Sequence, residues 1–474
     1  MMSLSWSTKD VSSWGMVSGG MTEVLYPTDA EGVAAALREV SSSGGTIGLR
    51  GAGCSYGDAS LNVGGKLLDF SRMNKILFFD EQAGEAVVEP GVTIRQLWRH
   101  AILHRLWPKV VPGTMEVTCG GAAAMNIHGK NNFAVGTFGD SIVSFKLITP
   151  TGETLDCDRE QNSEVFHAAI GGFGMLGVFL EIRLKLKPVH CGRMRVTAFA
   201  SHGLRQSLDY LEQHRGSADY LVGWLDLHAR GSALGRGAIH RADHLQAGED
   251  PAGEGLFDPA LQDVPMRIFG IVPKGWIWPG MWAFLQGGLW KFVNAAKYRA
   301  GIREARQPPI LQTHGAFHFL LDYVPNWKKM TSPGGLIQFQ PFVPKEAAER
   351  VYRTLIERFQ AAGLVPYLGV LKRHRSDPFL MTHAVDGYSL AMDFAVKKSS
   401  KERLWSLCNE LAEIVLEAGG RFYYAKDAVL KASSFNRIHG DTAVAQFRSL
   451  KKRLDPRGIL ATDLSRRMLG ECSD

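Results

Sequence analysis

Between residues 51 and 177 the chain carries a series of glycine-dense loops, each attached to a short β-prone run, and these constrain its fold more than any other feature. Gly51-Ala52-Gly53-Cys54-Ser55-Tyr56-Gly57-Asp58 follows a predicted strand at Thr46–Arg50. Pro112-Gly113-Thr114, then Thr118 with Gly120-Gly121-Ala122-Ala123-Ala124, come next. Asn126-Ile127-His128-Gly129-Lys130 and Gly136-Thr137-Phe138-Gly139-Asp140 complete the set before an apolar run at Ile142–Thr149. Such turns let backbone N–H groups approach a ligand with no side chain in the way, which is what a diphosphate requires. The Gly120–Ala124 run reads as the close-packed start of a helix, whose N-terminal dipole favours an anion. A formal GxGxxG also occurs at Gly172–Gly177. As a dinucleotide fingerprint it would have to follow a strand and open a helix. Here a predicted helix from Ser163 to Ile170 precedes it and a strand, Val178–Leu186, follows, so a doubly wound fold is rejected.

Other local signals predict an α+β protein. A helix is expected from Thr93 to His104, and Ser163 is placed to cap the helix it begins. Beyond about residue 192 the texture changes. His240–Pro259, rich in Ala, Gly, Asp and Glu, reads as a mobile insertion. Gly335–Val343, Tyr388–Val396 and Arg421–Ala425 read as strands, and Lys345–Gly363 and Lys401–Gly419 as helices ending at glycine. This alternation fits an antiparallel sheet covered by helices on one face. A chain of 474 residues exceeds one core, so two domains are expected. The first takes residues 1–192 and 421–474; the second takes 193–420, with the insertion near 240–300.

The net charge of +7 is too diffuse for a nucleic-acid partner, though it suits anionic ligands or an anionic membrane face. Six cysteines without a CxxC suggest reduced thiols rather than a metal site or disulfide framework. The N-terminus lacks the pattern of a Sec signal, so a cytoplasmic protein is expected. Gly275–Trp290 is uncharged but interrupted by Pro279 and three glycines, too short and broken for a spanning helix. Its Trp276, Trp278, Trp282 and Trp290 suit either a buried aromatic cluster or substrate-channel wall, or peripheral contact with a membrane.

The ordered motifs RGAGCSYGD, VEPGV, PGT, CGGAAAMNIHGKN, GTFGD and GGFGMLGV resemble the FAD-binding PCMH-type domain of the vanillyl-alcohol oxidase and p-cresol methylhydroxylase superfamily. Within it the chain is most similar to the family of decaprenylphosphoryl-β-D-ribose 2-oxidases. WLDLHARGSALGRG, GLIQFQPFVP, YYAKD and LDPRGILATDLSRRM extend the likeness over most of the chain, with about 240–330 matching poorly. The resemblance implies a two-subdomain flavin domain and a substrate domain. It also implies non-covalent FAD, held by Gly51, Ala52, Gly53, Cys54, Ser55, Tyr56, Pro112, Gly113, Thr114, Thr118, Gly120, Gly121, Ala124, Asn126, His128, Gly129, Gly136, Thr137, Phe138, Gly177, Val178 and Ala425.

The implied reaction is oxidation of a secondary hydroxyl, C2 of a polyprenyl-phosphate pentose, by hydride transfer to flavin N5. Such an activity would serve cell-wall polysaccharide biosynthesis with a short-chain reductase as partner. A soluble polyol or aldonolactone oxidase, a flavin-dependent lipid double-bond reductase and a flavin-binding scaffold are the competing readings. Lys426, His128 and Lys130 are the candidate catalytic residues, with a surface lysine as the competing reading of Lys426. Gln338, Gln340, Tyr56, Trp224, His318 and Lys372 are the candidate substrate contacts. Gln338 and Gln340, at i and i+2, share one face of a strand. Two positions depart from the family: Ala391 falls where it has a cysteine, and His318 where it has a tyrosine.

Overall fold

A computed structural model describes residues 4–253, 255–264, 267–268, 272–286 and 288–470. Cys472, Gly287 and Pro265 lie outside the described residues. Three sheets organise the chain. The first is mixed, in the order Ser7–Ser12, Gly19–Leu25, Lys66–Asp69, Ile47–Arg50. The C-terminal segment returns to its edge, where Ile47 donates to Ile459 and Ala461 donates back to Ile47. The second sheet is antiparallel and centres on Val178–Pro188, which pairs with Glu85–Val88, Leu106–Pro108 and Ile142–Ile148. The GxGxxG segment therefore joins a helix, Ser163–Ala169, to this strand, the reverse of the dinucleotide-fold order.

The third sheet has nine antiparallel strands. Leu368–His374 and Gly387–Ala395 pair at its centre, flanked by Tyr220–Leu225 on one side and by Leu336–Phe339 and Pro341–Pro344 on the other. Helices Lys345–Ala361 and Lys401–Glu417 pack against it. Alternation sorts the side chains of Gly387–Ala395. Leu390, Met392 and Phe394 enter the hydrophobic core, while Ser389, Ala391 and Asp393 point the other way.

Four local expectations are corrected. Asn162, in a left-handed conformation (φ +47°), stands at the N-cap where Ser163 was expected; the Ser163 hydroxyl instead lies 3.3 Å from His167 Nδ1. The expected strand Gly335–Val343 is interrupted at Gln340. That at Arg421–Ala425 ends at Phe422, because Tyr423 and Tyr424 accept from Lys426 and Asp427 in a turn. Finally, much of His240–Pro259 is built in rather than inserted: strand Gly237–His244 covers its start, and Asp250 is buried and bonded to Arg193 Nε at 2.6 Å.

Candidate active site

The glycine loops and the non-helical face of the nine-stranded sheet enclose one cavity of about 540 Å3, within the range of small-molecule and cofactor sites. One wall is made by Gly51–Tyr56, Pro112–Thr114, Thr118, Gly120, Gly121, Ala124, His128 and Val178. The other is made by Trp224, Gln338, Gln340, Lys372, Ala391 and Asp393. Lys426, Lys130 and His318 also line it, so the three candidate catalytic residues and the six substrate contacts meet in one space. This convergence is what the scaffold reading does not expect.

Lys426 is presented by a clamp. Tyr56 N–H donates to Ala425 C=O at 2.8 Å, and a Cβ on Gly57 would lie 1.9 Å from Asp427 O, so only glycine allows this approach. Arg467, from the C-terminal helix Asp463–Leu469, bridges Asp58 and Asp427 at 2.8 Å each. Lys426 Nζ consequently stands 3.7 Å from the centre of the Tyr56 ring. Burial lowers its pKa to about 8, against the opposing pull of Asp393 and Cys54. Lys372 is lowered further, to about 7, by burial and then by Lys426. Lys130 is also held well below the ordinary lysine value by burial and Lys372; its ammonium nitrogen donates to Phe317 C=O and lies 4.2 Å from that ring's centre. Lys130 is buried and Lys372 and Lys426 are partly buried, and Lys426, near 8, keeps its positive charge in the cavity at neutral pH.

His128 Nε2 lies 3.1 Å from Gln340 Nε2, which also donates to Ser389 Oγ. Burial, then Lys372 and two neighbouring histidines, hold His128 neutral at ordinary pH. Gln338 is register partner to Asp393 and donates to its Oδ1. Asp393, which sequence reasoning did not single out, is fully buried and raised to about 6, mainly by burial. Alternation with Ser389 and Ala391 was the signal that could have found it. Tyr367 and Asn294 also line the cavity and were missed. They sit in a loop and a helix whose sequences carry no comparable signal.

Six candidate cofactor residues stand behind the wall rather than on it: Asn126, Gly129, Gly136, Thr137, Phe138 and Gly177. Asn126 accepts from Gly139 N–H and donates to Asp377, which also receives Thr137 Oγ1, so this network braces the loops. The helix Cys119–Ala124 differs from expectation as well. Its first N–H groups are already engaged, Cys119 with Val92, Gly120 with Pro90 and Gly121 with the Thr118 hydroxyl. In contrast, the N–H groups of Gly53, Cys54 and Ser55 donate to no described residue, and Gly53 holds a φ of +64°. The first loop therefore has the free donors and the open backbone that a dinucleotide cofactor's diphosphate would use.

The Trp-rich segment forms the mouth. Helices Trp278–Gln286 and Trp290–Glu304 line the cavity with Met281, Trp290, Val293 and Asn294. Trp290 is tied inward by its Nε1 to Tyr367 C=O. Trp276 is 77% exposed, and Trp282, Phe284, Leu289 and Phe292 are exposed too. The inward part matches the expected channel wall, and the exposed part forms an apolar rim. No helix among the described residues is long and apolar enough to cross a membrane.

Residues 22–158 match the FAD binding domain family. Over its full length the chain is similar to decaprenylphosphoryl-beta-D-ribose oxidase of Mycolicibacterium smegmatis, 29% identical over 469 residues, 98% of each chain. It is also similar to L-gulonolactone oxidase of Bos taurus, 27% identical over 209 residues (44% of this chain, 46% of the relative), and to cytokinin dehydrogenase 9 of Oryza sativa subsp. japonica, 25% identical over 247 residues (48% and 46%).

Proposed function

The chain is an FAD-dependent oxidoreductase, and we propose that it oxidises the C2 hydroxyl of a polyprenyl-phosphate pentose. The observation that carries this reading is the single cavity running from the glycine loops, past Lys130, Lys372 and Lys426, to an exposed apolar rim. A free polyol offers nothing for the rim and a neutral lactone nothing for the cations. A lipid-linked sugar phosphate answers both. When bound, FAD supplies the acceptor for two electrons and the carbinol hydrogen.

The residues divide the remaining work. Lys426, clamped against the first loop, stabilises negative charge as it develops on the oxidised oxygen, in a site where water is scarce. Gln338 and Gln340 offer amide groups to the sugar from one sheet face, and Lys372 and Lys130 donate hydrogen bonds to its anionic part. Trp276 and Phe292 rest on the membrane boundary while the prenyl chain enters beside Met281 and Trp290. The product is a keto sugar, so a short-chain reductase is the partner that would return it as the epimer, in a route to cell-wall polysaccharide.

The test is anaerobic mixing of the holoenzyme with prenyl-phospho-ribose, a free polyol and an aldonolactone, followed by flavin bleaching. Bleaching by the lipid-linked sugar alone is expected. Bleaching by the polyol or lactone without it would move the assignment to a soluble sugar oxidase.

A further inference from the structure

Removing hydride from a carbinol also requires a destination for the hydroxyl proton, and the cavity restricts the choice. Among the described residues that line it, Asp393 is the only carboxylate. Besides Lys130, Lys372, Lys426, His128 and His318, the lining includes Lys297, His240 and three tyrosines. Tyr56 and Tyr367, the two that face Asp393, stay protonated because burial raises them. A proton on His128, or on the Lys372 amine, which is partly neutral near pH 7, would create a new cation beside Lys426, which already opposes both. His318 faces the same opposition from Lys130 and two histidines. A proton on a carboxylate instead removes a charge from a buried site, which costs less.

We propose that Asp393 is the catalytic residue that accepts the hydroxyl proton, through its Oδ2. The oxygens are inequivalent. Oδ1 is fixed by the Gln338 amide, whose backbone is register partner to Asp393, so the carboxylate cannot swing away. Oδ2 is buried and has no hydrogen-bond partner among the described residues. As the carbonyl forms, the O–H bond breaks and its proton joins Oδ2. The C–H bond breaks in the same oxidation, and FAD, when bound, would be the oxidant that takes the hydrogen with its electron pair. Lys426 retains its proton and faces the growing negative charge, so donor and acceptor act from different residues. With burial holding Asp393 near 6, the carboxylate is mostly ionised at neutral pH yet basic enough to be protonated transiently.

This inference rests on alcohol oxidation as the reaction, and the experiment separates the two. Asp393→Asn keeps shape and the acceptor for Gln338 but cannot take a proton. Stopped-flow bleaching is measured from pH 5 to 8 with whichever of the three alcohols reduces the wild type. The wild-type rate should rise through pH 6. Asp393→Asn should bleach ~100-fold or more slowly, the scale of losing one proton-transfer group, with no rise through pH 6. Its flavin content, visible spectrum and reduction by dithionite should match the wild type, and Asp393→Glu should recover part of the rate together with the pH limb. Should Asp393→Asn not fold, Asp393→Glu and the wild-type profile decide, and a flat wild-type profile from pH 5 to 8 overturns the proposal. So does bleaching of Asp393→Asn at the wild-type rate, or retention of its pH limb, which would make Asp393 a positioning residue for Lys426. If no alcohol bleaches the wild type, alcohol oxidation falls and this role falls with it.

Discussion

The loop wall of the cavity is drawn from short stretches between Gly51 and Val178, whereas the facing wall comes from strands spread from Val222 to Asp393. The loop wall works through backbone, and its shape depends on side chains being absent. Gly51 illustrates this, since a Cβ there would lie 2.1 Å from the Thr118 hydroxyl. The sheet wall works through side chains delivered by alternation, with Gln338, Ala391 and Asp393 on one face and Ile337, Leu390 and Met392 in the core behind. Damage to the first wall should therefore appear as lost folding or flavin, and damage to the second as lost chemistry with flavin retained. Lys426 is the instructive case, because the loop wall holds it in place while its charge acts toward the sheet wall.

Arg467→Ala should give the largest loss of stability and blur the distinction between the walls. It leaves the buried Asp427 and the largely buried Asp58 without their partner. Breaking such a pair costs on the order of 3 kcal/mol or more. Denaturant unfolding should show that loss, and flavin should dissociate more readily. An unchanged midpoint would show that the clamp does not hold the loop.

Lys426→Ala sharpens the comparison. It should keep a folded protein and a flavin spectrum while bleaching falls by ~100-fold or more, the scale of removing one electrostatic group from such a site. Lys426→Arg should rescue poorly, because a planar fork does not replace a compact ammonium. Wild-type bleaching by Lys426→Ala would remove this residue from the chemistry.

The two walls also differed in how far sequence revealed them. Glycine loops are local, so the backbone requirement at Gly51–Tyr56 is written in consecutive residues. The rejected GxGxxG was equally local, since helix-then-strand order excludes it. The sheet wall depends on register between distant strands, which no single segment encodes. Gln338 was visible as a polar residue on an apolar strand, but its partner Asp393, 55 residues away, was not. The bracing role of these loops was hidden for a related reason. Asn126 and Thr137 sit in cofactor-type motifs, but their side chains are committed to Asp377, 251 and 240 residues further on.

A titration probes the Lys426 assignment more finely. Burial lowers its pKa to about 8, so the cation is present below that pH and lost above it. Wild-type bleaching should therefore fall as pH rises from 8 to 9, approaching tenfold per unit if the cation is required. Lys426→Ala should be flat over this window. A wild-type rate that stays constant to pH 9.5 would contradict the role.

At the mouth, effects should be smaller and confined to membranes. Changing both Trp276 and Phe292 to Ser removes two exposed rings. At ~25 cal/mol per Å2, even partial loss of their burial in an interface is worth about 1–2 kcal/mol, roughly tenfold in liposome partitioning. Flavin content and bleaching by a detergent-dispersed substrate should not change. Equal co-sedimentation of variant and wild type with anionic liposomes would show that the rim does not meet lipid.

The smallest effect is expected at Cys54, on the loop wall within the electrostatic influence of Lys426. In many relatives of the resembled superfamily a histidine at this loop position is bonded to the flavin, so Cys54 is the residue that could make a covalent link. A thiolate would be needed for that, and nucleophilic cysteines arise where positive charge outweighs burial. Here burial wins: the thiol is pushed up to about 12, with Lys426 opposing the shift only in part. A neutral thiol beside the cavity packs as a small apolar group. Cys54→Ser should therefore change flavin content and bleaching by less than about twofold, in line with a conservative change away from the chemistry. Acid precipitation of the wild type should leave the yellow colour in the supernatant. Colour retained in the wild-type pellet but lost from that of Cys54→Ser would show that the loop wall binds its cofactor through a side chain after all.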